Sequence, residues 1–419
     1  MKQPQSPWTY IPTLYFAEGV PNVLISTVSV IFYKKLNIDN DQIAAWTSFL
    51  YLPWVIKMFW GPVVDIYSTK RTWILVTQFA MFCCLSLVAL SLQLANFFFI
   101  SLAALAVGAF ISATYDIATD GFYMLALNPE QQAFFVGIRS LFYRLAVLFG
   151  SGLLVVLAGR LETSLNNIPL SWTISIGFSA ILFAILFIFH RLILPLPAAD
   201  TQRQTQLNQI PFWLVIKTYF QQDKIGAILA FILLYRLGEA MLLKIASLFL
   251  LDKVEQGGLG ISTEEFGWIY GTFGVLSLIV GGILGGVVIS KYGLKKCLLP
   301  MALALNLPDI FYVYMAYIKP SLPLVYLLVS LEQFGYGLGF TAFSVYLMYI
   351  CQGDYKTSHY AISTGFMALG LMLPGAISGV IQKAVGYPLF FVLVCILTIP
   401  GMIALFFIPL KTKSAISQS

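Results

Sequence analysis

Charged side chains set inside long apolar runs are where this sequence can do chemistry. The stretch YDIATDG places Asp116 and Asp120 four residues apart, on one face of a helix. The next run, GIRSLFYRLA, supplies Arg139 and Arg144. Five residues turn an α-helix by about 500°, so the two guanidinium groups point about 140° apart. One partner cannot hold both. One arginine bridges to an aspartate, expected to be Arg144 with Asp120, and the other meets a substrate. Adjacent carboxylates raise one another's proton affinity and a nearby guanidinium lowers it, so the cluster reads as a proton site or as a helix lock. Further acids follow in other runs: Glu18 in YFAEGVP, Glu239 in YRLGEA, Asp309 behind Pro308, and Glu332 opening EQFGYGLGF. The proton-coupling candidates are therefore Glu18, Asp116, Glu239, Asp309 and Glu332. First choice falls on Asp116 and on Glu18, whose neighbours Gly19 and Pro21 are expected to break the helix and turn carbonyls toward a cavity.

A charge inside a membrane span costs roughly 2.5–3.5 kcal/mol on insertion scales, so these side chains face a cavity or one another rather than lipid. Lys57 and Lys244 lie nearest to run ends and read as structural or functional with equal weight. The substrate-cavity candidates are Tyr15, Tyr115, Tyr143, Tyr336 and Tyr360, with Arg139, Arg144 and Arg236. Tyrosine offers a ring to stack on a sugar and a hydroxyl to bond it. The glycines of EQFGYGLGF read first as packing positions and second as a bend.

Other chemistries find no support. The five cysteines, Cys83, Cys84, Cys297, Cys351 and Cys395, have no metal-ligand spacing and read as packing residues, so no metal is expected. No phosphate-binding loop of the G-x-x-x-x-G-K-[ST] type occurs. His190 and His359 fall at run ends, where they are expected to be interfacial rather than catalytic. The expectation is a chain that is no enzyme, takes no cofactor and binds no nucleic acid.

The elements that hold these residues follow from composition. Of 419 residues, 59% are hydrophobic and only 10% charged, and mean hydropathy is +0.86. Soluble domains carry about 25% charged residues. Apolar runs fall at about 10–33, 42–62, 72–93, 97–124, 132–159, 170–193, 225–250, 263–289, 296–317, 321–349, 356–385 and 387–409. Runs above about 18 residues argue for transmembrane helices, and the period-2 pattern of a barrel is absent. The first run, starting near Tyr10, is too long for a cleaved signal core and reads as a retained helix. The fold class is an all-α membrane protein with twelve transmembrane helices.

Lysine and arginine set the orientation. The side of the termini collects thirteen, among them Lys2, Lys70, Arg71, Lys295 and Lys296, against six opposite: Lys34, Lys35, Arg160, Lys253, Lys319 and Lys383. Both termini are thus expected in the cytoplasm. A polar stretch at 195–223 separates an N-terminal six-helix bundle, 1–194, from a C-terminal one, 224–419, and reads as a cytoplasmic linker. The halves repeat in detail: Gly61, Tyr67, Lys70 and Arg71 recur 225 positions later as Gly286, Tyr292, Lys295 and Lys296, while Asp65 falls on Ser290.

GPVVDIYSTKR, from Gly61 to Arg71, fits G-x-x-x-D-x-x-x-x-[KR]-[KR]. Here a glycine permits close helix approach, Asp65 accepts hydrogen bonds at a neighbouring helix N-terminus, and Lys70 and Arg71 hold the helix end by charge pairing. At these residues the chain resembles the major facilitator superfamily, whose loop between helices 2 and 3 carries this signature. The resemblance implies two six-helix bundles around a cavity, with Gly61, Asp65, Lys70 and Arg71 as gating residues; the charged cluster adds Asp120, paired with Arg144, as a structural or gating residue. A narrower resemblance, to AmpG-type permeases, rests on YFAEGVP, PWVIKMFWGPVVD, SATYDIATDGFYMLALNPEQQAFFVGIRSLFYRLAVLFGSG and FSVYLMYICQGDYKTSHYAISTGFMALG. It implies secondary active import of cell-wall-derived muropeptides, driven by protons, across a bacterial inner membrane. The absence of any N-x-[ST] acceptor agrees with a bacterial source. The expected partners are a small-molecule substrate, protons and the lipid bilayer, with the chain a monomer. The wider group also includes acetyl-CoA transporters and siderophore importers, whose length this chain approaches. An exporter, and a membrane receptor or scaffold without flux, are the remaining alternatives.

Overall fold

The computed structural model describes residues 6–60, 64, 68–127, 129–197, 212–351 and 356–410. Among them the chain is helical, with no strand. α1 is Pro7–Lys35. α2, Asn40–Phe49, and α3, Leu52–Ile56, share the second apolar run, which is interrupted where Pro53 opens α3. α4 is Lys70–Ser91, α5 Phe97–Ala126, α6 covers 129–165, and α7 is Ile168–Ile193. Short α8, Phe212–Phe220, precedes α9, Ile225–Leu251, α10, Thr263–Tyr292, and α11, Leu294–Ile318. α12 is Leu322–Ile350, α13 Lys356–Leu397 and α14 Ile399–Ala404. Gly386, at φ 74°, divides α13 where the last two apolar runs were expected to separate. Nine described stretches are long and apolar enough to span a membrane, the last containing both parts of α13. Leu90, Phe99, Ile185, Ile283 and Leu327 are more than half exposed, as side chains facing lipid are.

The helices form two compact units. The first contains Met1–Asn37, Leu50–Ile210 and Thr263–Gly267. In it α1 packs along α5 and α6, while α4 packs along α5 and α7. Phe32, Phe122, Trp172 and Phe183 fill its interior. Gly19 does not break α1: a Cβ there would lie 2.7 Å from Ala146 Cβ and 2.9 Å from the Tyr143 carbonyl oxygen, so glycine is what lets α1 meet α6. α1 continues through Pro21 and loosens only after it, into a π turn at Leu24–Val28 that touches a second π turn in α6, Leu148–Leu154.

The second unit contains Ile38–Phe49, Pro211–Ser262 and Trp268–Ser419. α12 packs against both α10 and α11, and α13 against α2 and α9. Its core runs through Phe231, Tyr235, Leu298, Phe343 and Tyr346. Asn40, opening α2, has its Nδ2 2.9–3.3 Å from Tyr387 Oη, Asp252 Oδ2 and Gln382 Oε1, and the Tyr387 hydroxyl also donates to Asp252. Lys244 Nζ donates to Thr47 Oγ1 at 3.1 Å, which makes this buried lysine a tie between α9 and α2.

Candidate substrate and ion-coupling site

In the first unit three helices and a helix end converge on one charged cluster. α1 supplies Tyr15 and Glu18, three residues apart and so on one face. α5 supplies Asp116 and Asp120 one turn apart, α6 supplies Arg139, and the turn after α3 supplies Lys57. Lys57 Nζ lies 3.6 Å from Asp116 Oδ2, which also accepts from the Trp54 indole at 3.0 Å. Arg139 Nη1 lies 3.1 Å from Asp120 Oδ1 and donates to the Tyr15 hydroxyl at 3.0 Å. That hydroxyl in turn donates to Asp120 Oδ1 at 2.9 Å. The guanidinium carbon lies 4.7 Å from the Tyr15 ring centre and 5.2 Å from that of Tyr123, two rings that themselves meet edge to face. The Arg139 and Asp120 side chains are 33% and 45% exposed, so this pair is open to solvent. Glu18 Oε2 is buried and has no hydrogen-bond partner among the described residues.

Arg139, not Arg144, is thus the partner of Asp120, which corrects the expected pairing. Arg139 also bonds Tyr15, which ties α1 to this pair. Tyr143 and Arg144 lie further along α6, each partly exposed. Tyr115 is not in the cluster. Its hydroxyl donates to the Leu14 carbonyl at 3.1 Å and accepts from Gln78 at 3.2 Å. Gln78 also meets His190 Nδ1 at 2.7 Å, and Thr13 Oγ1 meets His190 Nε2 at 2.9 Å. His190 is therefore fully buried, joining α1, α4 and α7, and is not the interfacial residue expected. His359 is buried as well, bonded by Thr218 of α8.

Of the expected gating residues, Gly61 and Asp65 lie outside the described residues. Lys70 is buried, its chain passing so close to Gly121 that a Cβ there would sit 2.7 Å from Lys70 Cε. Arg71 acts through hydrogen bonds to carbonyls: its Nε donates to the Leu194 oxygen and its Nη2 to the Arg191 oxygen, both at 2.9 Å. A cation there satisfies the exposed carbonyls that end α7.

The second unit holds its own charged cluster. Arg236 closes on Glu239 through both fork donors, Nε at 2.9 Å and Nη2 at 2.6 Å, and Nη2 also bonds the Tyr336 hydroxyl at 2.9 Å. The guanidinium lies 4.9 Å from the Phe340 ring centre and 5.5 Å from that of Tyr336. Both charged side chains are almost fully buried. Asp309, behind Pro308, is buried with Oδ2 unpartnered among the described residues. Glu332 is buried and accepts from Gln333 Nε2 at 2.9 Å. Tyr360, at the start of α13, is exposed. Trp54 was missed by sequence reasoning, although its spacing of three from Lys57 puts both on one helix face. Asn40, Asp252 and Tyr387 were missed because their sequence separation carries no signal. Among the described residues no group of acids, histidines and cysteines has the geometry of a metal site.

Comparison with known proteins agrees with this architecture. The profile of the Major Facilitator Superfamily matches residues 13–250 and 225–419. A putative transporter AmpG 4 of Rickettsia felis is 26% identical over 422 residues, 96% of each chain. The anhydromuropeptide permease of Escherichia coli K12 is 27% identical over 412 residues, which are 96% of this chain and 79% of the permease. Among solved structures, a D-xylose–proton symporter superposes with a TM-score of 0.74 at 12% identity, covering 96% of both chains. The nucleoside transporter NupG gives 0.68 at 17%, covering 95% of this chain and 97% of that one.

Proposed function

Because the chain belongs to the major facilitator superfamily, we propose that this integral membrane transporter imports a cell-wall-derived anhydromuropeptide together with protons. It does so as a monomer in the inner membrane of a bacterium, with both termini cytoplasmic. The relation to an anhydromuropeptide permease along nearly the whole chain supports the substrate class. The observation that carries the reading is the partly exposed Arg139, lying against Tyr15 and Tyr123 and paired with Asp120. Aromatic rings suit a sugar face, and the guanidinium suits the carboxylates of a peptide stem.

The two bundles, 1–194 and 224–419, are the proposed moving parts of alternating access. Asp65, Lys70 and Arg71 gate the cytoplasmic side, and Asp120 responds to the site's occupancy. Glu18 and Asp116 are the proposed proton carriers, since Glu18 Oε2 has no hydrogen-bond partner among the described residues and Asp116 is paired with Lys57.

The test is uptake of radiolabelled anhydromuropeptide into proteoliposomes holding an alkaline interior. Accumulation above the external concentration, collapsed by a protonophore, is expected. No uptake removes the substrate, and uptake indifferent to the pH gradient removes the proton. The second reading is a siderophore or an acetyl-CoA-like solute of the same wider family. It is favoured by this chain spanning only 79% of the length of the Escherichia coli permease.

A further inference from the structure

In each cluster an arginine lies against two aromatic rings, yet the two differ in what fills its fork. On Arg236 the Nε and Nη2 donors are both taken by Glu239. This is the paired geometry in which arginine binds a carboxylate best. On Arg139 only Nη1 is engaged, by Tyr15 and Asp120. The Nε and Nη2 donors have no partner among the described residues, and the side chain is one-third exposed. The edge of the fork that accepts a carboxylate through two parallel bonds is thus without a partner among the described residues, on a side chain that lies against two rings.

Charge counting gives that open edge a consequence. Asp120 is faced by Tyr15, Glu18, Lys57, Asp116, Tyr123 and Arg139, with Lys70 passing against the adjacent Gly121. Among the described residues of the cluster three carboxylates, Glu18, Asp116 and Asp120, are met by two ion pairs, Lys57 with Asp116 and Arg139 with Asp120, and Glu18 Oε2 has no hydrogen-bond partner. A fourth carboxylate arriving on Arg139 divides the charge that now holds Asp120. Several interacting acids with too few counter-charges take up protons as a set.

We propose that Arg139 is the receptor for a carboxylate of the transported solute, and that its occupation makes the Glu18–Asp116–Asp120 set take a proton from water. The solute's carboxylate bonds Nε and Nη2 of Arg139, and one carboxylate of the set becomes a carboxylic acid. This deepens the proposed function and rests on it, since it assigns both the recognised group and the link between solute and proton. Solute and proton then enter together because neither charge change is favourable alone in a site closed to water.

The experiment measures proton uptake on binding. An anhydromuropeptide is titrated into the purified full chain in nanodiscs, by calorimetry in buffers of different ionisation enthalpy, beside the same compound with its peptide carboxylates amidated. Wild type is expected to bind the acid roughly tenfold or more tighter than the amide, and to take up about one proton with the acid only. Arg139→Gln should bind both compounds alike, and Asp120→Asn should bind the acid tighter while taking up less proton. Equal affinity and equal proton uptake for acid and amide in wild type overturn the inference and leave the substrate assignment standing. Binding of neither compound by wild type removes the substrate assignment, and this inference with it. The acid–amide comparison uses unaltered protein, so a variant that fails to fold does not decide the matter.

Discussion

Asp116 accepts from Trp54 and pairs with Lys57, and Asp120 accepts from Tyr15 and pairs with Arg139, whereas Glu18 Oε2 accepts from no described residue. Among the described residues the cluster thus pairs two of its three acids with cations, and glutamine or asparagine at an acid imitates its protonated form permanently. Glu18→Gln and Asp116→Asn are therefore expected to lose accumulation against a gradient while keeping counterflow exchange, which moves no net proton. Wild-type uptake should fall as external pH rises, because the proton is a co-substrate, and both variants should flatten that slope. Accumulation with wild-type pH dependence in both would move coupling to Glu239, Asp309 or Glu332. The sequence made these acids legible because a charge in an apolar run is expensive wherever it lies. It led to an arginine partner for Asp120, but not to which arginine. Arg139 also bonds Tyr15, 124 residues away in sequence. His190 illustrates the same limit. It looks interfacial in sequence, yet Gln78 and Thr13 satisfy both ring nitrogens and draw it inside.

Helices were the most readable elements, since twenty apolar residues have few other ways to satisfy their backbone in lipid. Their interruptions were less so. Pro53 marks the break between Phe49 and Leu52, but no local residue pattern marks the π turns at Leu24–Val28 and Leu148–Leu154, which touch one another across helices. Proline signalled unevenly, as Pro21 is accommodated within α1. Glycines in α12 do act by packing: a Cβ on Gly335 would overlap the Ala304 carbonyl oxygen of α11. Gly286, the second copy of the repeated motif glycine, has nothing within 4 Å of such a Cβ. Gly335→Ala is therefore expected to destabilise the protein by roughly 1–3 kcal/mol, as overpacking does. Gly286→Ala should be neutral or stabilising by up to about 1 kcal/mol, through helix propensity alone. Thermal unfolding of the two variants in the same detergent compares them directly. Equal stability would mean that α11 and α12 adjust to the added methyl.

At the scale of the whole molecule, the repeat of Gly61, Tyr67, Lys70 and Arg71 at Gly286, Tyr292, Lys295 and Lys296 pointed to a duplicated helical bundle, and membership in the superfamily agrees with it. The exchange of short segments between the compact units was not legible. Nothing local to residues 38–49 indicates that Asn40 bonds Asp252 and Tyr387. Orientation is a separate property, set by where lysine and arginine stop during insertion. The positive-inside rule assigns Arg71 and Lys291 to the side expected to collect thirteen such residues, and Arg160, Lys253 and Lys319 to the side expected to collect six. Cysteine labelling tests the assignment once the five native cysteines are replaced, of which Cys83 is already exposed. Asn166 ends α6 with its backbone in the left-handed region, at φ 49°, in the short connection to α7. Gln204 lies in the linker, outside the described residues. With the termini cytoplasmic, a membrane-impermeant maleimide added to intact cells should label Asn166→Cys. It should reach Gln204→Cys only after the membrane is opened. The reverse pattern would place the termini outside, and the thirteen positive charges would then have been translocated against the rule that motivates the assignment.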